Sequence, residues 1–128
     1  MHELSFAKII LLQEGIAEVV VDSGVEMTLE MVGEFHDSLL SQFKHPFSLL
    51  INKLHSYTYT FEAQLHIYSL PYVTAISVMV YNDITRATTE NIIALPRETP
   101  WNIMIFHDYN LALNWLQQQQ ASLHSGKG

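Results

Sequence analysis

Apolar residues along this chain follow two patterns, and the order of these patterns predicts an α/β fold. Short continuous or alternating apolar runs are typical of strands, whereas apolar residues three and four positions apart are typical of helices. Five strands are predicted, at residues 6–12, 16–21, 47–52, 72–81 and 101–106, and four helices, which begin after Thr28, Thr60, Asn82 and Asp108. The predicted order is ββαβαβαβα, a mixed sheet of about five strands with four helices.

The connections between these elements indicate how the strands pair. The first two strands are predicted to form a hairpin, because Gly15 lies in the short turn between them. Strands that are separated by helices pair in parallel through right-handed crossovers, and the apolar run 47–52 is typical of a strand covered on both faces. No linker or internal repeat divides the sequence, so we expect a single domain over residues 1–128 with a frayed tail at 125–128.

Composition excludes several classes of function. The chain has 128 residues, of which 48% are hydrophobic and 15% are charged, and its formal net charge is −7. Its six Lys and Arg residues are scattered, so no basic patch is available for a nucleic acid or an anionic membrane surface. No apolar run approaches the roughly 18 residues of a membrane span, and the N-terminus does not have the pattern of a signal peptide. We therefore expect a cytoplasmic protein without membrane insertion.

Residues suited to catalysis or metal binding do not occur at the spacing that these functions require. There is no cysteine, and the seven histidines include no His-x3-His pair. The sequence also lacks a Gly-x-Ser-x-Gly motif and a glycine-rich phosphate loop. We predict no catalytic residue, no metal site and no cofactor, and hence a protein that is not an enzyme.

The closing segment, residues 105–116 (IFHDYNLALNWL), joins a strand to an acid-capped helix. Together with Glu14 to Val21 in the hairpin and Pro46 to Asn52 in the middle strand, it resembles the SpoIIAA-like group of bacterial proteins. That group is similar to the STAS domains of anti-sigma-factor antagonists and to the CRAL-TRIO lipid carriers. The resemblance covers nearly the whole chain, and it implies a STAS-like fold.

One segment departs from the STAS pattern. STAS regulators carry an Asp-Ser pair at the start of the helix after the middle strand, and a partner kinase phosphorylates that serine. The matching segment lacks the pair and consists of Ser56, Tyr57, Thr58, Tyr59, Thr60 and Phe61. A phosphate at a helix N-terminus is electrostatically favourable, but a Ser or Thr there ordinarily caps the helix. We expect Thr60, or Thr58, to be such a cap and the segment not to be an efficient kinase switch.

The aromatic residues of the segment 56–61 are the remaining unusual feature. Aromatic side chains with polar tips occur at partner surfaces and pocket walls, and they also cover the ends of sheets. Because only 15% of the residues are charged, part of the surface is uncharged, and a symmetric dimer is the commonest remedy. We predict a homodimer or other homo-oligomer that makes contact through a helix face or through Tyr57 to Phe61, with a regulatory protein as a second kind of partner.

Two functional hypotheses follow from the resemblance. The first is a non-catalytic interaction or regulatory module that acts through protein contacts. The second, by analogy with the lipid carriers, is a small carrier or sensor of an apolar ligand. A pocket separates them, because a carrier needs an apolar cavity of roughly 300 Å3 or more.

Overall fold

Strands and helices alternate along the described residues, 2–43, 46–95 and 101–125 of this computed structural model. The strands are β1 (His2–Glu3), β2 (Ala7–Gln13), β3 (Ile16–Val21), β4 (Glu26–Met27), β5 (Phe47–Asn52), β6 (Thr58–Tyr59), β7 (Val73–Met79) and β8 (Ile103–Phe106). The helices are α1 (Leu29–Gln42), α2 (Phe61–His66), α3 (Asp83–Ile93) and α4 (Tyr109–Ser125). No helix in these ranges is long and apolar enough to cross a membrane.

Six strands form one mixed sheet in the order β1-β2-β3-β5-β7-β8. The strands β1, β2 and β3 are antiparallel neighbours, whereas β3, β5, β7 and β8 pair in parallel. The predicted hairpin, parallel crossovers and mixed sheet are therefore confirmed, but the predicted count of five strands is too low. The extra strand β1 has two residues, too few to show an alternation of apolar and polar positions. A separate ladder joins β4 to β6 in parallel.

Helices cover both faces of the sheet. The main core lies under α1, α2 and α3, where Val32, Ala63 and Ile92 pack against alternate strand residues. The helix α4 packs on the opposite face, with Leu116 fully buried. Every residue of β5 is buried, as expected for a central strand covered on both sides. The edge strand β8 is partly open, and Met104 is 45% exposed.

The predicted helix starts are confirmed by their caps. Side-chain oxygens of Thr28, Thr60, Asn82 and Asp108 each accept a hydrogen bond from the backbone N–H three residues later, at 2.8 to 3.2 Å. Each cap satisfies an N–H group that the first helical turn leaves without an intrahelical partner. At the other end of the chain α4 extends to Ser125, and residues 126–128 of the predicted tail lie outside the described residues.

All four helices begin at the same end of the sheet. The helix that follows a parallel strand starts at the end of the sheet where that strand ends. The helices α3 and α4 follow β7 and β8, and α1 and α2 follow β3 and β5 with the short strands β4 and β6 in between. We call this end of the molecule the carboxyl end. The segment 56–61 also lies there, because it connects β5 to α2.

Candidate functional site

Asn52 and Lys53, where β5 ends, lie on opposite faces of the sheet, because successive strand residues alternate. Asn52 is on the α4 side, where it contacts Glu18. Lys53 is on the side of α1 and α2, over the rings of Tyr57 and Tyr59. The carboxyl end therefore holds one polar cluster on each face.

Glu18 is the centre of a partly buried hydrogen-bond network on the α4 face. Glu18 is 8% exposed, and its carboxylate oxygens accept hydrogen bonds from Asn52 Nδ2 at 2.9 Å and from the Tyr109 hydroxyl at 2.8 Å. The Tyr81 hydroxyl donates to Asn52 Oδ1 at 2.8 Å. Burial and the hydrogen bond to Glu18 raise the pKa of Tyr109 to about 12, so this hydroxyl remains a donor at neutral pH. The network ties β3, β5 and α4 together.

Lys53 is a buried cation on the other face. It is 7% exposed, and Nζ lies 5.2 Å from the centroid of the Tyr57 ring and 5.1 Å from that of Tyr59. Among the described residues no carboxylate forms an ion pair with Nζ, and no acceptor forms a hydrogen bond with it. The negative faces of the two rings replace part of the lost hydration. Burial still lowers the pKa of Lys53 to about 8.

Tyr57 and Tyr59 point inward rather than towards a partner. Tyr59 is 9% exposed, and its hydroxyl lies 3.0 Å from that of Tyr57 in an edge-to-face pair of rings. The β4–β6 ladder pairs Tyr59 with Met27, which fixes the direction of the Tyr59 side chain. Burial raises the pKa of Tyr57 to about 12 and also raises that of Tyr59. These tyrosines cover the end of the core.

The other residues of the segment 56–61 have different surroundings. Ser56, Thr58 and Phe61 are exposed, with Phe61 at 62%. Thr60 is half-buried, and its hydroxyl accepts the N–H of Ala63, so the prediction that it caps α2 is confirmed. The predicted absence of an efficient kinase switch in this segment stays a prediction.

The hydroxyl of Tyr68 is buried and has no hydrogen-bond partner among the described residues. It approaches the Tyr59 hydroxyl without forming a bond of ordinary geometry, and burial raises the pKa of Tyr68 far above its usual range. Because an unpaired buried hydroxyl keeps its desolvation cost, Tyr68→Phe is expected to raise the free energy of unfolding by about 1 kcal/mol. Urea denaturation measures this, with Tyr57→Phe as control. That variant loses a bonded hydroxyl and should be less stable by about 1 kcal/mol. A destabilised Tyr68→Phe would contradict the prediction.

The apolar cavity beside these tyrosines is small. Its volume is about 10 Å3, and its walls include Met27, Phe35, Ile51, Tyr57 and Tyr59. That space admits about one water molecule. A groove of about 330 Å3 lies at the surface between α3 and β8, with the charged side chains of α3 on its wall.

The described residues bring no group of three or more histidine or acidic side chains together that could hold a metal ion. His36 is committed to a structural contact, because its Nε2 lies 2.9 Å from the carbonyl oxygen of Ile67. Burial lowers the pKa of His36.

Exposed apolar side chains are concentrated at the carboxyl end. Six of the nine exposed large apolar residues in the described ranges lie in the first turns of the helices or directly after β5 and β7. By their shared position at this end of the sheet we group these six residues under the name carboxyl-end apolar face: Leu29, Leu54, Phe61, Tyr81, Ile84 and Leu111. Their exposed fractions run from 47% for Leu29 to 81% for Ile84. The same helix starts carry four acids, Glu30, Glu62, Asp83 and Asp108.

Sequence reasoning identified the segment 56–61 but missed the two polar clusters. The signal for Glu18 was a carboxylate inside an otherwise apolar strand. The signal for Lys53 was its position directly after the apolar run 47–52, which is predicted to be buried. A charged residue at the end of a buried strand is unusual, because charged residues are rarely buried. The exposure of Ile84 could not be predicted from the sequence. The helical pattern of α3 shows which apolar residues share a face, but it does not show which of them pack against another element.

Comparison with known proteins identifies the fold. No protein-family model and no curated protein matches the chain. A solved structure does match, that of an uncharacterised DUF3478-family protein with a SpoIIAA-like fold from Shewanella loihica PV-4. The TM-score is 0.56, and the alignment covers 91% of this chain and 98% of that chain. This chain has a SpoIIAA-like fold. The sequence identity is 17%, so the likeness shows the SpoIIAA-like fold alone.

Proposed function

We propose that this SpoIIAA-like chain is a non-catalytic interaction module that self-associates through the carboxyl-end apolar face. That face is the observation that carries the proposal. Together its six residues expose on the order of 700 Å2, close to the roughly 800 Å2 per partner of a standard protein interface.

A second copy of the chain is the occupant that we propose for this face. A two-fold contact places the same surface of both copies together, so apolar side chains meet apolar side chains. The helix-start acids at the same end would then repel each other across the contact. Added salt screens this repulsion, so the association is expected to strengthen with ionic strength. A contact with a basic partner would weaken instead, and the regulatory partner expected from the sequence stays a prediction.

The polar clusters support a non-catalytic function. Both carboxylate oxygens of Glu18 already accept hydrogen bonds from protein donors, so this group is not poised as a free general base. Tyr57, Tyr59 and Tyr68 are phenols whose pKa values are all raised, which opposes a role as nucleophiles. The cavity inside the core has a volume of about 10 Å3, and the groove of about 330 Å3 lies open at the surface with Arg86 and Glu90 on its wall. Neither is an enclosed apolar cavity of the size that a carrier needs, which favours the interaction module.

The variant Ile84→Asp is expected to weaken self-association by roughly 100-fold, because it places a charge in the proposed apolar contact at its most exposed residue. Ile84 is 81% exposed in the first turn of α3, where an acid is compatible with the helix dipole, so the monomer should remain folded. Sedimentation equilibrium should show a dimer at micromolar concentration for the wild type and a monomer for Ile84→Asp.

Leu11→Asp is the matched control for this experiment. Leu11 is 55% exposed on β2, next to the hairpin turn at the opposite end of the sheet. We expect this variant to dimerise like the wild type. A monomeric wild type, or a dimer that Leu11→Asp dissociates and Ile84→Asp does not, would refute the proposed contact.

A further inference from the structure

Lys53 has the surroundings of a half-built anion site. Its ammonium group lies against two tyrosine rings, and within the described ranges it has no hydrogen-bond acceptor and no counter-charge. In these ranges, two polar side-chain atoms have neither solvent contact nor a hydrogen-bond partner, Ser38 Oγ and the Tyr68 hydroxyl oxygen. Lys53 Nζ is not one of them although it has no hydrogen-bond partner, so it keeps some contact with solvent. An ammonium carries three donors, and leaving them unpaired in a buried place is costly. An acceptor group from outside would satisfy them.

We propose that Lys53 anchors a carboxylate at the carboxyl end of the sheet. The carboxylate is that of a small free acid or of a peptide segment. A carboxylate oxygen accepts a charge-assisted hydrogen bond from Nζ on the side that solvent reaches, and the rings of Tyr57 and Tyr59 remain in contact with the ammonium group.

The small exposed surface of Lys53 favours a carboxylate over a phosphate. Lys53 is 7% exposed, so little space is open for a ligand beside Nζ. A carboxylate group is planar and smaller than a tetrahedral phosphate, so it places an oxygen on Nζ with less displacement of the neighbouring side chains. The inference is therefore a carboxylate site rather than a general anion site.

The lowered pKa of Lys53 agrees with this inference. Burial lowers it to about 8, because no ion pair among the described residues offsets the lost hydration of the ammonium group. An anion bound beside it would favour the charged form and raise the pKa again. The Lys53 ammonium is still mostly protonated at pH 7 and can therefore bind an anion there.

An acetate titration tests the site. The probe is acetate, with chloride at equal ionic strength as reference, and the readout is the Cε resonance of each lysine in NMR spectra. We expect the Lys53 resonance to move along a saturating curve and that of the exposed Lys8 to remain unchanged. Phosphate should bind Lys53 more weakly than acetate. A Lys53 resonance that does not respond, or that responds without saturating as Lys8 does, would overturn the inference.

Variants give a second readout that does not depend on the resonance of Lys53 itself. Acetate is expected to raise the thermal midpoint of the wild type and of Lys8→Met. The affinity of Lys53→Met for acetate should be lower than that of the wild type by roughly tenfold or more. Equal stabilisation of Lys53→Met would refute the site. Repeating the titration on Ile84→Asp separates this result from self-association, because the site does not require a second copy.

Two peptides distinguish the sources of the carboxylate. One is a capped tripeptide with glutamate between two leucines, and the other has glutamine in the same place. Tighter binding of the glutamate peptide than of acetate identifies a peptide segment as the source, whereas weaker binding identifies a small free acid. Equal affinity for the glutamate and glutamine peptides would contradict a carboxylate site.

Discussion

Replacing Lys53 with methionine is expected to raise the free energy of unfolding at pH 7 by about 2 kcal/mol. The wild-type fold buries this ammonium against Tyr57 and Tyr59 without an ion pair among the described residues. Methionine has a similar length and no charge, so it keeps most of the packing and removes the desolvation cost. Part of the gain is lost with the ring contacts, which are worth about 1 kcal/mol in such places.

The pH dependence of this effect has a defined sign. The pKa of Lys53 is about 8 in the folded protein and 10.5 in the unfolded chain. Between these values the unfolded chain binds more protons, so the wild type becomes more stable through Lys53 as the pH rises from 8 towards 10.5. Below pH 8 the folded protein bears the full desolvation cost of the charged Lys53 ammonium. The advantage of Lys53→Met should therefore be largest below pH 8 and shrink above it.

Urea denaturation at several pH values, in buffers without carboxylates, measures this difference. The free energy of unfolding of the wild type is subtracted from that of the variant at each pH. This difference cancels the contributions of all other titrating groups. Lys8→Met is the control, because Lys8 is exposed and its replacement should change stability little. A Lys53→Met protein that is less stable than the wild type at pH 7 would show that the ring contacts outweigh the desolvation of the ammonium.

Replacing Glu18 with alanine is expected to lower the free energy of unfolding by about 3 kcal/mol. The change removes the acceptor of two hydrogen bonds, at 2.9 Å from Asn52 Nδ2 and 2.8 Å from the Tyr109 hydroxyl. Asn52 would remain buried without this partner, and the half-buried Tyr109 would lose its acceptor. Hydrogen bonds to a charged acceptor contribute about 1.5–3 kcal/mol each, and a cavity adds to the loss.

Glu18→Gln is the matched control for this substitution. It keeps the size of the side chain and one carbonyl acceptor, so it should cost less than half as much. A double-mutant cycle of Glu18→Ala with Tyr109→Phe should show a coupling energy of about 1 kcal/mol or more, because the two groups share a hydrogen bond. Additive effects would indicate that the bond between Tyr109 and Glu18 does not contribute to stability.

Local patterns were sufficient to predict most of the fold. The hairpin around Gly15 and the burial of β5 follow from short segments of sequence, and so do the four helix caps. The strands β1, β4 and β6 were missed because each has two residues. A pairing such as that of Met27 with Tyr59 joins residues far apart in the chain, and no local periodicity encodes it.

The candidate site was less predictable for the same reason. Tyr57 and Tyr59 belong to the segment that the sequence singled out, but the β4–β6 ladder decides that they point inward. The sequence left the choice between a contact surface and a core cover open at these positions. Phe61 is the aromatic residue of the segment that remains exposed, and it belongs to the carboxyl-end apolar face. The strand order decides which helix starts lie next to each other at this end of the sheet. That order is a property of the folded topology and is not encoded in any local segment of the sequence.

Intermolecular paramagnetic broadening tests the proposed self-association most directly. The chain has no cysteine, so Ser56→Cys provides a single attachment point for a nitroxide at an exposed position of the carboxyl end. This labelled chain is mixed with an unlabelled 15N-enriched copy, and amide signals are recorded before and after reduction of the nitroxide. We predict broadening of the amides of Phe61, Ile84 and Leu111 in the unlabelled copy. Broadening confined to the region of Leu11, or none in a sample that sedimentation shows to be dimeric, would contradict the carboxyl-end contact.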